Sequence, residues 1–127
     1  MVNPVPPEQQ LINDEELAGK IAALVVAGKH MDAIVAFSKL PARIAGVPYV
    51  DAANAASLAY ATLAAREKDL AARRELLDRA TATLPALRGR GRVPPDHRQE
   101  MQFAQGVVLL MIESLRVDLE RRESLAK

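Results

Sequence analysis

The residues with the widest chemical range in this chain are His30 and His97, and neither stands in a constellation that would set it to work. Each lacks the second histidine or the suitably placed carboxylate that a metal site or a nucleophilic triad needs. His97 and Glu100 are three apart, the spacing used in carboxylate-bridged metal bundles. Such a bundle takes several more inward carboxylates, and no Asp or Glu here falls on an apolar stripe. With no cysteine, neither a thiolate metal site nor a disulfide framework can be built. No catalytic residue, no metal and no cofactor is expected.

A second chemistry is offered by Arg88-Gly89-Arg90-Gly91-Arg92, with Arg98 close behind. Its guanidinium groups could grip phosphates through charge-assisted bonds, so Arg88, Arg90, Arg92 and Arg98 are the candidate anion contacts. The glycines neither follow a strand nor carry a phosphate-loop lysine, which argues against a nucleotide cradle. A net charge of +1 and 3% aromatic residues argue against nucleic acid as the main partner. A solvated, flexible loop is the plainer expectation for this run.

The elements that position these residues are helical. Hydrophobic residues make up 50% of the 127 and charged residues 26%, a globular composition. With so few aromatics the core must come from Ala, Leu, Val, Ile and Met, which suits close helix packing. Apolar residues recur at three and four positions in two helix-turn-helix segments, Asp14 to Leu40 and Asp51 to Leu84. Pro4, Pro6 and Pro7 are expected to keep residues 1–12 extended, and Asn13 with Glu16 reads as a capping box opening the first helix. Gly28 closes that helix, a second runs to Leu40 before Pro41, and Asp51 is placed to cap a third.

Two readings fit the charged run Arg66-Glu67-Lys68-Asp69. A turn exposes all four, with Asp69 capping a fourth helix; a single long helix would instead place Leu63, Leu70, Leu77 and Leu84 on a seam of period seven. Arg66 and Arg73 occupy the alternate seam positions, where such a seam wants apolar residues, and this favours the turn. Pro94, Pro95 and Asp96 then start a last helix. The sequence predicts an all-α fold of about five helices, with a single domain over 13–123 and a short tail over 124–127.

The segment Gly28-Lys29-His30-Met31-Asp32-Ala33-Ile34, with Leu17 and Leu24 before it and Phe37 after it, resembles a tetratricopeptide repeat. Leu70 to Leu77 with Ala80 and Pro85 is similar to the second helix and closing proline of another copy. The resemblance covers residues 14–85 and implies two stacked antiparallel hairpins with the long last helix as a cap. It also implies a partner-binding groove lined by the first helix of each pair, where Lys20, Asn54, Ser57 and Tyr60 are the candidate polar contacts.

Val107 to Ile112 is apolar right around the last helix, so one face can meet the core while the other needs cover. Leu109 and Leu110 are the candidates for an interface with a protein partner or a second copy. A non-catalytic protein-interaction module, such as an adaptor, assembly factor or accessory subunit, is therefore the leading expectation, and a nucleic-acid regulator using the arginine-glycine loop is the alternative. No membrane span and no secretory leader are read from the sequence, and a cytoplasmic setting is expected.

Overall fold

Gly28 makes the first corner of the fold. In the computed structural model, which describes residues 4–127, α1 spans Pro7–Val26 and α2 spans His30–Ser38. Gly28 between them has φ +79°, the left-handed region open to a residue with no Cβ. Its N–H donates to the Val25 carbonyl at 3.0 Å, and the Lys29 N–H reaches back to Leu24 at 2.8 Å. This is the Schellman closure that satisfies the last carbonyls of a helix.

The second hairpin joins α3 (Val47–Arg66) to α4 (Leu70–Thr83), so residues 51–84 are two helices and not one. Asp69 caps α4 as its position predicts, accepting from the Ala72 N–H at 2.9 Å. Arg73 is buried there, not exposed. Its guanidinium donates to the carbonyls of Glu67 (3.0 Å) and Ala65 (3.5 Å), closing the end of α3, and to Asp118 at 3.1 Å. The arginine that argued against a seam is thus the plug of the turn. A 3-10 turn, Gly89–Gly91, leads into α5, Pro95–Leu125. The fold is all-α, with five α-helices and no strand among the described residues.

Several boundaries differ from expectation. Residues 7–12 belong to α1 and are not extended: Pro6 takes the cap position, and Pro7 starts the helix where its missing N–H costs nothing. Asn13 therefore lies inside a helix, where its side chain accepts from Gln9 at 3.0 Å instead of forming a capping box. Residues 1–3 lie outside the described part. Asp51 lies a turn inside α3, because Gly46 at φ +71° and Pro48 begin that helix earlier. α2 stops at Ser38, short of Leu40, and α5 continues to Leu125, into the expected tail.

The core is organised by α3, which touches α1, α2, α4 and α5. Ala52, Ala53, Ala56, Ala59, Ala61 and Ala64 are all fully buried. Ala52 and Ala59 meet Ala18, Ile21 and Ala33 of the first hairpin, while Ala61 and Ala64 meet Leu77, Ala80, Val108, Ile112 and Leu119. A third cluster of Val50, Val93 and Met101 seats the segment before α5.

Gly91 is fixed in that segment by space. A Cβ on it would lie 2.1 Å from the Ala86 carbonyl oxygen, whereas one on Gly19, in the middle of α1, would meet nothing within 4 Å. Gly91→Ala is expected to destabilise the protein by about 1–3 kcal/mol through forced backbone movement. Gly19→Ala should stabilise it by roughly 0.5–1 kcal/mol through helix propensity. Urea unfolding of the two variants checks the opposite signs.

Candidate functional site

The proposed groove residues do not come together. Ser57 is fully buried and donates through Oγ to the Ala80 carbonyl at 2.7 Å, tying α3 to α4. Asn54 is buried in α3 as well, with its Oδ1 unpartnered, and Tyr60 is half-buried against the α4–α5 side of the core. Lys20 stands apart from them at a surface depression, an apolar cavity of about 310 Å³ between α1 and α2 that also includes Leu17, Leu24 and Lys39. The reason is geometric: α3 lies in the middle of the bundle, so the face on which a groove was expected is covered on both sides.

The arginine-glycine run is exposed at Arg88, Gly89, Arg90 and Arg92, as a solvated loop would be, while Arg90 ties it to neighbouring backbone. Arg90 donates through Nε to the Ile44 carbonyl at 2.7 Å and through Nη2 to that of Pro41 at 3.1 Å. Its guanidinium also lies 4.2 Å from the centre of the Tyr49 ring, a cation–π contact. The Gly46 N–H returns a bond to the Arg90 carbonyl at 2.8 Å. Arg98 donates to the Leu87 carbonyl at 3.4 Å, while Arg88 and Arg92 are exposed. Arg90 is therefore a strut between two loops, and the four arginines form no common clamp.

His30 is buried at the start of α2, with Nδ1 unpartnered, and His97 is exposed 3.9 Å from Asp96. Among the described residues no group of three or more His, Cys, Asp or Glu gathers where a metal could sit, and no helix is long and apolar enough to cross a membrane.

Leu109 and Leu110 are both exposed, on a helix with two unlike faces. Met101, Val108, Ile112 and Leu119 are buried along one side of α5. The opposite side carries Phe103 (75% exposed), Val107 (57%), Leu110 (67%) and Val117 (68%). Leu109, at 39%, lies on the flank between the faces. Phe103 and Val117 lie outside the unbroken run Val107–Ile112, beyond polar residues that interrupt it. Extending the three-and-four spacing outward from Leu110 would have found them.

Ion pairs help to set which way this stripe points. Besides Arg73, α5 is tied to α4 by Arg74 with Glu123 and by Arg116, which donates to Asp78 at 3.0 Å and to Thr81 at 2.8 Å. Asp118 is the hub. Oδ2 accepts from Arg122 at 2.7 Å and Arg73 at 3.1 Å, and Oδ1 accepts from Arg121 at 2.8 Å. Hydrogen bonds from Arg122 and then Arg121 hold its carboxyl below the ordinary 3.8. Asp51 moves the opposite way, raised by desolvation first and then by Glu100 and Glu15, with His97 opposing.

Comparison with protein-family models, curated proteins and solved structures returns no match.

A carboxyl held below its ordinary value stabilises the folded state fully above that value, and the contribution is lost as pH falls through the folded one. The hub should therefore weaken in acid below 3.8. Asp118→Asn is expected to flatten this part of the stability profile, read from urea midpoints taken between neutral and acid pH.

Proposed function

We propose that this chain is a non-catalytic protein-interaction module that presents the outer face of α5 to a protein partner. The carrying observation is the stripe of Phe103, Val107, Leu110 and Val117, large apolar side chains exposed along one side of a helix whose other side is already buried. Scattered apolar residues are ordinary on a protein surface, but a regular line of them on a helix matches the way coiled coils and groove-docked helices present their anchors. Gly106 beside the stripe and Ser114 within it are exposed too, and their lack of bulk lets another backbone approach. The hairpins α1–α2 and α3–α4 act as the scaffold, in the manner that a tetratricopeptide-like arrangement would provide. An adaptor, assembly factor or accessory subunit working in the cytoplasm is the role that this reading describes.

The phosphate-clamp alternative has less support, since the bonds of Arg90 and Arg98 to backbone carbonyls leave Arg88 and Arg92 as the exposed members of that run without such bonds.

Leu110→Glu puts a charge in the middle of the stripe while touching no core residue. The expected outcome is an unchanged helical signal and unfolding midpoint, together with loss of the complexes that the unaltered chain forms, including self-assembly if that occurs. Each fully covered large side chain contributes about 1.5–3 kcal/mol, so the loss should be large. Sedimentation and recovery of bound protein from the native host, compared between the two chains, provide the readout. Identical behaviour of a folded variant in both measurements would contradict the proposal.

A further inference from the structure

Resting on that reading of the α5 face, we infer that the partner is a second copy of this chain, docked through α5 in antiparallel orientation with Val107 of each copy against the partner's Leu110. The stripe extends beyond its apolar centre in the same alternation of four and three. Asp96 and Glu100 continue it toward the start of α5, and Ser114, Val117 and Arg121 continue it toward the end. All of these residues are exposed, Asp96 at 80% and Arg121 at 69% of the side chain. The seam is thus acidic at one end, apolar in the middle and basic at the other.

That polarity selects the orientation. A parallel pair would set Asp96 on Asp96, Glu100 on Glu100 and Arg121 on Arg121, juxtapositions that oppose association. An antiparallel pair brings each Arg121 to the partner's Asp96, so both ends are complementary at once. A seam that complements its own reverse is what a two-fold interface requires.

The register follows from the two kinds of seam position, which face each other across an antiparallel pair. Setting Val107 opposite the partner's Leu110 places Phe103 opposite the partner's Ser114, the largest side chain of the seam against the smallest. The same step places Arg121 opposite the partner's Asp96. Glu100 then lies along the partner's Val117, one turn from Arg121 of that copy. The overlap from Asp96 to Arg121 is about 39 Å long at 1.5 Å per residue. Since the buried stripe of Met101, Val108, Ile112 and Leu119 is on the far side of α5, the core of each bundle lies away from the helix pair.

Sedimentation equilibrium of the full chain over a wide concentration range at low salt tests this. A reversible dimer is expected, with Leu110→Glu monomeric. Arg121→Asp should raise the dimer dissociation constant about tenfold by creating like-charge contacts, and adding Asp96→Arg to it should restore most of the loss. Because the chain has no cysteine, Arg121→Cys reports orientation directly. Alone it should form no disulfide-linked dimer on oxidation, and mixed with Asp96→Cys it should.

A monomer at every concentration, failure of the charge exchange to restore association, or efficient cross-linking of Arg121→Cys to itself would each overturn the inference. Should the chain be monomeric while Leu110→Glu still abolishes capture of another protein, this inference falls and the interaction reading survives. No change in either property would end both.

Discussion

Everything in this fold depends on how closely other helices can approach α3. Six buried alanines let four neighbours reach one helix, two from each side of the chain. Larger residues at these positions would push the axes apart, since a packed interior accepts little added volume without strain. The bulk of the core is supplied from outside α3, by Leu77, Ile112, Leu119 and Ile44. Ser57 belongs to the same arrangement: its hydroxyl is small enough to be enclosed, and it is satisfied by a carbonyl of α4. α3 consequently uses up its own surface, and any surface left for binding must lie on the peripheral helices.

Among these, α5 is the longest, and its rotation about its axis is what turns an apolar sequence into an apolar face. Exposed ion pairs contribute little to stability one at a time. Arranged as they are between α4 and α5, joining Arg73 to Asp118, Arg74 to Glu123 and Arg116 to Asp78, they favour one rotational setting of the helix. Arg73 differs from the others because it is buried, so removing Asp118 or Glu67's carbonyl from its reach would strand a desolvated charge. The closing of α3 and the orientation of α5 are thereby linked through one side chain.

Local chemistry made much of this fold legible in the sequence. Gly28, Asp69 and Pro41 mark turns because their backbone or side-chain preferences act within a few residues, and the structure uses Gly28 and Asp69 as predicted. Features that depend on distant partners could not be read in the same way. Arg90 looks like a loop cation until Ile44, Pro41 and Tyr49 are brought beside it. Asn54, Ser57 and Tyr60 read as groove contacts only if α3 lies at an edge, and nothing within α3 itself tells that it is central. Leu110 was identifiable because all-round apolarity is a local signal, whereas Phe103 and Val117 required the periodicity to be followed across intervening polar residues.

The account makes α3 the element on which both hairpins and α5 depend, and native-state hydrogen exchange tests that most directly. The amides of Ala52 to Ala64 should exchange only through global unfolding, with protection matching the stability measured by denaturant, while the ends of α1 and α5 exchange sooner. If those α3 amides instead exchange by a lower-energy opening while α4 or α5 remains protected, the central helix is not what holds the bundle together.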